Sequence, residues 1–258
     1  MSKSMIVSGA SRGIGAAIAR EAAARKINLV LNARSGDALN SVAKDLDASG
    51  RHVVAVAGDV SDKEVCAAIV QAGIDRFGGI DVLVNNAGVL EPVGPLHAVD
   101  ADDWVRNLMV NVAGPVLLTQ RALESLRRRR GCVINISSGA AVKAVRGWSA
   151  YCTSKAALNH FNRVLQAEYP EVTAVALSPG MTATDMQTAI REIGEGRMPE
   201  DEHRRFIDAY EKGELRSPEE VARAVVAVGV NPSPELKGEF VSVEDPRVEA
   251  LTIKARRS

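Results

Sequence analysis

Short, continuous apolar runs alternate along this chain with longer stretches that have the composition of helices. The runs read MIV, NLVLN, HVVAVA, DVLVN, CVINIS, VTAVAL and EFVSV, and they occupy residues 5–7, 28–32, 52–57, 81–85, 132–137, 172–177 and 239–243. A strand without polar alternation is covered on both faces, and strands that alternate with helices pair in parallel through right-handed crossovers. The pattern therefore predicts an α/β fold, a doubly wound parallel sheet of about seven strands with helices on both faces.

Size and charge limit the number of domains and the kind of partner. A chain of 258 residues with 46% hydrophobic and 3% aromatic content fits one domain over residues 1–258, with a core of small aliphatic side chains. The 32 basic residues balance the 32 acidic ones, so no overall field attracts nucleic acid or an anionic membrane. The RRRR run at 127–130 is expected to end a helix, where cations complement the dipole. A small molecule is the expected partner.

Cysteine usage and hydropathy bear on the compartment. The three cysteines and four histidines show no metal-ligand spacing, so no metal site is predicted. The N-terminal MSKSMIVSGA has no signal-peptide character, and no run of about 18 uncharged apolar residues occurs. We expect a soluble, unprocessed protein in the cytoplasm, with no membrane partner.

The first apolar run leads into SGASRGIGAAIAR, where Gly9, Gly13 and Gly15 precede a predicted helix. Glycines allow a sharp turn and a close approach of backbone to ligand, and the NH groups and dipole at a helix start attract phosphate. The segment is therefore interpreted as a dinucleotide-binding loop. A glycine-bearing strand-helix turn without ligand is the alternative at this point.

The end of the second run distinguishes between the two nicotinamide dinucleotides. An acid there would bind the adenosine ribose of NAD, but this run ends Asn32, Ala33, Arg34, with no acid until Asp37. Arg34 can form paired hydrogen bonds to a 2'-phosphate, and Arg12 in the glycine loop is placed to assist. These arginines favour NADP(H), unless both are simply solvated surface residues.

A set of motifs resembles the short-chain dehydrogenase/reductase family in order and spacing over nearly the whole chain. The motifs are SGASRGIG, Asp59, NNAG at 85–88, Asn111, the serine pair at 137–138, YCTSK at 151–155, and SPGMTAT at 178–184. Ser8 stands where the family more often has threonine, and the hydroxyl is kept. The resemblance implies a Rossmann-type fold and an enzyme that interconverts carbonyl and hydroxyl groups.

The resemblance implies four catalytic residues. Tyr151 is the proton donor, Lys155 holds the nicotinamide ribose, Ser138 donates a hydrogen bond to the substrate oxygen, and Asn111 supports a water chain. In a helix, Lys155 would lie about 5 Å from Tyr151, and its charge is expected to lower the tyrosine pKa from about 10 by about two pH units. Taken singly, Ser138 and Asn111 could equally be satisfying backbone groups.

The cofactor contacts implied by the resemblance run the length of the expected cleft. Asp59 and Val60 would contact adenine, residues 86–88 would border the adenosine, and residues 179–184 would bind the carboxamide. The full set is Gly9, Ser11, Arg12, Gly13, Ile14, Gly15, Arg34, Asp59, Val60, Asn86, Ala87, Gly88, Tyr151, Lys155, Pro179, Gly180, Thr182 and Thr184.

Several stretches are most similar to the branch that contains benzil reductase and sepiapterin reductase. They are NAGVLEPV, GWSAYCTSKAALNHF, TATDMQTAIRE and GEFVSVEDP. This similarity implies NADPH-dependent reduction of a ketone or diketone. The segment 186–215 falls where the family has a substrate lid, and Met186, Ile190, Ile193, Met198 and Phe206 could floor an apolar pocket. An ordinary helical connection with one buried face is the alternative.

One acid near the end of the chain is a candidate substrate residue. Asp245 follows the last predicted strand, at a place comparable to the acid that anchors the pterin in sepiapterin reductases. The alternative is an exposed turn acid before Pro246.

The assembly and the direction of the reaction stay open at this level. By resemblance, we expect a homodimer or homotetramer formed through helices near 102–126 and 149–168. The rival functions are an alcohol dehydrogenase that runs oxidatively and a non-catalytic NADP(H)-binding sensor, against which the intact set of four catalytic residues argues.

Overall fold

The computed structural model describes residues 2–256 and contains a seven-stranded, fully parallel sheet. The strands are β1 (Ser4–Ser8), β2 (Asn28–Ala33), β3 (Val53–Ala57), β4 (Val82–Asn85), β5 (Cys132–Ile136), β6 (Thr173–Ser178) and β7 (Phe240–Ser242). Their order across the sheet is β3-β2-β1-β4-β5-β6-β7. Every predicted strand is present with its bounds within one residue at either end, and the predicted doubly wound α/β fold is confirmed.

Helices cover both faces of the sheet. They are α1 (Gly13–Ala24), α2 (Gly36–Leu46), α3 (Lys63–Phe77), α4 (Ala101–Leu108), α5 (Gly114–Arg129), α6 (Ser149–Glu168), α7 (Asp185–Ile193), α8 (Glu200–Glu211), α9 (Pro218–Val230) and α10 (Pro246–Arg256). One core packs α1, α2, α9 and α10 against the sheet, and the other packs α3, α5 and α6 against the opposite face. The core is rich in Val, Ile, Leu and Ala, as the composition predicted.

The strand order reverses direction between β1 and β4, which are neighbours in the sheet. Crossovers from β1 lead outward through β2 to β3, and the chain then returns to build β4 to β7 on the other side of β1. In open parallel sheets, ligands bind in the crevice beyond the carboxyl ends of the strands at such a reversal. The topology therefore directs attention to the turns that follow Ser8 and Asn85.

Buried amides connect the strands beneath this crevice. Asn85 Nδ2 donates to Asn135 Oδ1 at 2.9 Å and to Thr119 Oγ1 at 3.1 Å, and Asn135 Nδ2 donates to Asn162 Oδ1 at 3.1 Å. All four side chains are buried. Because an unpaired buried amide is costly, these bonds fix β4 and β5 relative to α5 and α6.

A π-helical turn over Met109–Ala113 separates α4 from α5, within the region 102–126 where the sequence analysis expected helices. A π turn inserts one extra residue per turn and is often found at functional sites. Within residues 2–256, no helix is long and apolar enough to cross a membrane, and no group of three or more His, Cys, Asp or Glu side chains is arranged to hold a metal ion.

Candidate active site

The glycine loop packs against the turn after β4. Gly9 has φ +66°, and a Cβ on Gly15 would lie 2.1 Å from the carbonyl oxygen of Gly9. Asn86 Nδ2 donates to the carbonyl oxygens of Ser8, at 2.9 Å, and Gly9, at 3.2 Å. Only glycine fits at position 15, and the loop holds the start of α1 at the edge of the sheet. This is the shape that admits a pyrophosphate next to a helix N-terminus.

Ser8 shows why a hydroxyl is needed at the end of β1. Its Oγ accepts from the backbone NH groups of Asn86, at 3.0 Å, and Ala87, at 3.1 Å, and donates to the carbonyl of Val84 at 3.3 Å. A serine satisfies these groups as a threonine would, so the departure from the family pattern leaves the loop intact.

The loop of residues 179–184 faces the glycine loop. Thr184 lies beside Gly13, since a Cβ on Gly13 would be 3.4 Å from Thr184 Cγ2. Backbone bonds between Ala183 NH and Arg216 O, and between Arg216 NH and Met181 O, both 2.9 Å, hold this loop to the start of the segment before α9. Pro179, Gly180 and Thr182 belong to the same loop, and the Thr182 hydroxyl is 3.3 Å from the Gly180 carbonyl oxygen.

The expected adenosine end contains an acid with two nearby cations. Asp59 accepts from the backbone NH, at 2.9 Å, and the hydroxyl, at 2.8 Å, of Ser61, and it forms an ion pair with Arg106 at 2.6 Å. Although partial burial raises it, the pKa of Asp59 lies below its ordinary value, because Ser61 donates two hydrogen bonds and Arg106 and Arg34 are nearby. The adjacent Val60 is buried against Gly114. Sequence reasoning missed Arg106, since no motif marks its position.

The two arginines predicted to bind a 2'-phosphate lie in different settings. Arg34 is exposed at the end of β2 and, among the residues that the structure describes, forms no hydrogen bond or ion pair, so its guanidinium is available to an anion. Arg12 forms an ion pair with Asp185 at 2.7 Å, and both side chains are more than two-thirds exposed. Such a pair is weak in water and can exchange for a phosphate. Ser11 and Ile14 are half-buried in the same loop.

The structure brings Tyr151, Ser138 and Lys155 together at the carboxyl ends of β5 and β6. Tyr151 and Lys155 lie one turn apart on α6, and both are buried. Lys155 Nζ is 5.5 Å from the centre of the Tyr151 ring and donates to the carbonyl of Ile136 at 2.8 Å. Ser138 follows β5, accepts from the NH of Ala140 at 3.1 Å, and is hydrogen-bonded to Tyr151.

Asn111 joins this group from the π-helical turn. Its Nδ2 donates to Ser154 Oγ at 3.1 Å, and that hydroxyl donates to the carbonyl oxygen of Tyr151 at 2.9 Å. A Cβ on Gly88 would lie 3.1 Å from Asn111 Oδ1 and 3.7 Å from Lys155 Nζ. The loop after β4, the π turn and α6 therefore meet around a few polar atoms.

The electrostatics of the pair differ from the sequence expectation. Burial raises the pKa of Tyr151 to about 12, opposed by the hydrogen bond to Ser138, and burial lowers the pKa of Lys155 to about 8. The prediction that the lysine lowers the tyrosine pKa was therefore wrong. Both side chains are buried, which disfavours phenolate and ammonium alike. At neutral pH, Tyr151 holds its proton.

An apolar cluster surrounds the ring of Tyr151. Trp148 packs edge-on against Tyr151, with ring centres 5.6 Å apart and an interplanar angle of 85°, and lies 5.0 Å from the Phe206 ring. The residues singled out in the predicted lid all join this cluster, namely Met186, Ile190, Ile193, Met198 and Phe206. The segment 186–215, predicted to be a lid, contains most of α7, all of α8 and their connection.

Asp245 has partners other than a substrate. Its Oδ1 accepts from the backbone NH and the Nε of Arg247, both at 2.9 Å, and its Oδ2 pairs with Arg247 Nη2 at 2.8 Å. The carboxylate sits at the start of α10, and the hydrogen bond from the Arg247 side chain holds its pKa below the usual range. These contacts account for both oxygens, so the prediction of a substrate-anchoring role is not supported.

The family model described as short chain dehydrogenase matches residues 3–194. With the fold and site described above, the chain belongs to the short-chain dehydrogenase/reductase family. Members are oxidoreductases that use a nicotinamide cofactor and act on CH-OH or C=O groups.

Three individual proteins are similar to this chain over most of its length. A Saccharomyces cerevisiae protein named benzil reductase ((S)-benzoin forming) is 32% identical over 260 residues, covering 96% of this chain and 98% of the relative. The crystal structure of the KRED1-Pglu enzyme is 37% identical with a TM-score of 0.90, covering 93% of this chain and 100% of that one. An alcohol dehydrogenase from the archaeon Thermococcus sibiricus, complexed with 5-hydroxy-NADP, is 28% identical with a TM-score of 0.78, covering 94% and 96%.

The close contact at Gly15 predicts that a side chain at this position weakens cofactor binding. Gly15→Ala should weaken NADPH binding by more than about tenfold, because the new Cβ would displace the Gly9 carbonyl and the loop that surrounds a phosphate. Binding is measured by the change in NADPH fluorescence on titration with protein.

The matched control for this prediction is Gly36→Ala. Gly36 also begins a helix after a strand, but a Cβ there meets only Ala57 Cβ, at 3.6 Å. If both variants bind NADPH as the unchanged protein does, the glycine loop is not a phosphate site.

Proposed function

We propose that this protein is an NADPH-dependent carbonyl reductase that reduces a ketone or diketone to the hydroxy compound. The proposal rests on Tyr151, which is buried, protonated at neutral pH and hydrogen-bonded to Ser138. Lys155 Nζ lies 5.5 Å from the centre of the tyrosine ring, and the ring belongs to an apolar cluster. Carbonyl reduction requires an acid at this point, and a phenol that keeps its proton at neutral pH can act as one.

Each of the four proposed catalytic residues has its own role in the reaction. A bound reduced nicotinamide supplies the hydride. Tyr151 holds the proton that the developing alkoxide needs, and Ser138 is placed to donate a second hydrogen bond to that oxygen. The ammonium of Lys155 stabilises the phenolate that remains after proton transfer. Asn111 anchors the loop after β4 and, through Ser154, the first turn of α6, and it is the proposed support for proton resupply.

The cofactor is proposed to lie across the carboxyl ends of β1, β4, β5 and β6. The glycine loop holds the pyrophosphate, Asp59 and Val60 meet the adenine, residues 86–88 border the adenosine, and residues 179–184 meet the carboxamide. Arg34, exposed and unpaired within residues 2–256, supports a 2'-phosphate and therefore NADP(H) over NAD(H). The Thermococcus sibiricus relative, complexed with 5-hydroxy-NADP, is consistent with this preference.

The substrate class rests on the apolar cluster and on one relative. Trp148 and Phe206 offer aromatic surfaces next to Tyr151, which favours aryl-bearing carbonyl compounds. The yeast relative is named for benzil, a diaryl diketone. We therefore propose a benzil-like diketone or aryl ketone rather than a sugar or a fatty acyl chain, with α7 and α8 as the lid.

The raised pKa of Tyr151 bears on whether the enzyme reduces a carbonyl or oxidises an alcohol. Alcohol oxidation needs the phenolate as a base, and a tyrosine with a pKa of about 12 provides little of it at neutral pH. A Tyr151 that is protonated at neutral pH suits the reductive direction, and the four catalytic residues together argue against a non-catalytic sensor.

We further propose that the protein is cytoplasmic and forms a homodimer or homotetramer. Exposed apolar side chains lie on α4, at Val105, and on α6, at Val164, with Met109 in the π turn. These helices are where the family resemblance predicts subunit contacts. Light scattering that gave the mass of a single chain would overturn the oligomer.

Removing the phenol should abolish turnover. Tyr151→Phe is expected to lower kcat for benzil reduction by about 10³-fold, because the acid is lost while the ring packing is kept. NADPH absorbance at 340 nm provides the assay. Tyr169→Phe, which changes the tyrosine at the C-terminal end of the same helix, should leave kcat unchanged. Retained activity in the first variant would refute the proposed proton donor.

The charge on Arg34 should determine cofactor choice. Arg34→Ala is expected to raise the KM for NADPH by about tenfold or more and to leave the KM for NADH unchanged, because only NADPH carries the 2'-phosphate. Arg20→Ala removes an exposed arginine on α1 and serves as the control for general charge. An equal effect of Arg34→Ala on both cofactors would rule out a 2'-phosphate contact.

The pKa values predict a one-sided pH profile for reduction. Tyr151 stays protonated well above pH 8, whereas Lys155, with its pKa lowered to about 8, loses its charge as pH rises through that value. We expect kcat/KM for benzil to be level near pH 7 and to fall above pH 8. Any residual activity of Lys155→Arg, whose charge does not titrate there, should lack this fall. A profile that rises with pH would contradict the assignment.

A further inference from the structure

A second buried amide lies one helical turn before Asn111. Asn107 is the penultimate residue of α4 and is fully buried. Its Nδ2 lies 3.2, 3.1 and 2.8 Å from the carbonyl oxygens of Val89, Leu90 and Glu91, and its Oδ1 accepts from Asn111 Nδ2 at 2.9 Å. Both polar atoms of Asn107 are thus bonded within the protein, although none of the sequence motifs contains this residue.

The three carbonyl groups determine which way the amide of Asn107 faces. A carbonyl oxygen only accepts hydrogen bonds, so the NH2 group of Asn107 has to face residues 89–91. Its oxygen then faces Asn111, which presents an NH2 group in return. Because the Ser154 hydroxyl donates to the carbonyl of Tyr151, its Oγ also requires a donor from Asn111. Turning either amide over would place oxygen against oxygen, so each amide has one favourable orientation.

This orientation fixes where the oxygen of Asn111 lies. Asn111 Oδ1 accepts from the backbone NH of Val89 at 2.9 Å. It also lies against Gly88, where a Cβ would be 3.1 Å from this oxygen and 3.7 Å from Lys155 Nζ. The acceptor of Asn111 and the ammonium of Lys155 therefore lie close to the same point of the loop after β4. Asn107, through its single favourable orientation, determines that Asn111 presents an oxygen rather than an NH2 group on this side.

We propose that Asn107 is a positioning residue for proton resupply, because it keeps the oxygen of Asn111 on the side of Lys155 and the NH2 group on the side of α6. The inference rests on the proposed reductase function. In each turnover the carbonyl carbon gains a hydride from NADPH, the carbonyl oxygen gains the proton of Tyr151, and the phenolate regains a proton from solvent. Asn107 is fully buried and acts through Asn111, so its effect falls on the last of these transfers.

Asn162 provides a matched control for loss of a buried amide. It is also fully buried, and its Oδ1 accepts from the amide of another asparagine, Asn135, at 3.1 Å. Its Nδ2 lies 3.5 and 3.4 Å from the carbonyl oxygens of Ala174 and Glu239. These partners belong to β5, β6 and the residue before β7. Asn162→Leu therefore removes the same group from an equally buried position that serves the sheet.

The test is a pair of isotope effects on benzil reduction, one from D2O as solvent and one from NADPH deuterated at the transferred position. Asn107→Leu should lower kcat by about tenfold and raise the solvent effect to about two or more, because replacement of the proton becomes slow. The effect of the transferred deuterium should fall toward unity, and Asn162→Leu should leave both effects unchanged. Equal changes in the two variants, or a larger effect of the transferred deuterium in Asn107→Leu, would overturn the positioning role.

A second variant keeps the test open should Asn107→Leu fail to fold. Leucine leaves three buried carbonyl groups without a donor, whereas Asn107→Ser leaves room for a water molecule that can donate to them. Serine is too short to replace the acceptor that Asn111 uses, so the same changes in the isotope effects are expected. Unaltered isotope effects in Asn107→Ser, with folding verified by circular dichroism, would refute the inference.

Hydrogen exchange distinguishes failure of this inference from failure of the proposed reaction. Because the backbone NH of Val89 donates to Asn111 Oδ1, the NH groups of residues 87–91 should exchange about fivefold faster or more in Asn107→Ser. Asn162→Leu should leave their exchange unchanged. This result would support the positioning of Asn111 by Asn107 even if NADPH reduces no carbonyl compound. Turnover of benzil, with exchange and isotope effects unaltered in Asn107→Ser, would keep the reductase and reject the positioning role.

Discussion

The close backbone contact between the turn after β1 and the turn after β4 is the constraint on which the site depends. Gly15 has no room for a Cβ against the Gly9 carbonyl, and Asn86 binds that same carbonyl, so the two turns are held as one unit. The start of α1 is thereby fixed at the edge of the sheet, where Gly13 lies beside Thr184. The loop after β4 also forms a hydrogen bond with Asn111, so this loop connects the turn after β1 to the proposed catalytic residues.

The second governing effect is the shared burial of Tyr151 and Lys155. A lysine beside a tyrosine in water would favour phenolate, but here both side chains lie below a tenth of full exposure. Desolvation then acts on each charge separately and moves both equilibria toward the neutral forms. The result is a phenol and an ammonium that coexist at neutral pH, which is the protonation state that a carbonyl reductase needs before hydride transfer.

The sequence predicted the sheet well because its signal is local. Seven uninterrupted apolar runs each need cover on both faces, and the helices between them allow only parallel pairing. Spacing likewise brought Tyr151 and Lys155 to one face of α6. Apart from the pKa of Tyr151, the features that sequence reasoning missed depend on side chains that meet from distant parts of the chain or on local hydrogen-bond choices. These are the π turn at 109–113, the Arg106 to Asp59 pair, and the pairing of Asp245 with Arg247.

Helix α8 and the segment before α6 are joined by ion pairs as well as by apolar packing. Arg146 pairs with Asp201, and its Nε lies 3.6 Å from Glu202 Oε1, so the segment before α6 is attached to α8, which carries Phe206. The Arg146–Asp201 pair is exposed, and an exposed ion pair contributes about 1 kcal/mol or less, so it can open and reform at little cost. Glu202, in contrast, is largely buried. Since α6 begins at Ser149 and carries Tyr151, the segment that pairs with α8 leads directly into the helix that holds the proposed acid. We therefore expect the position of α8 to affect the placement of the Tyr151 hydroxyl through residues 145–149.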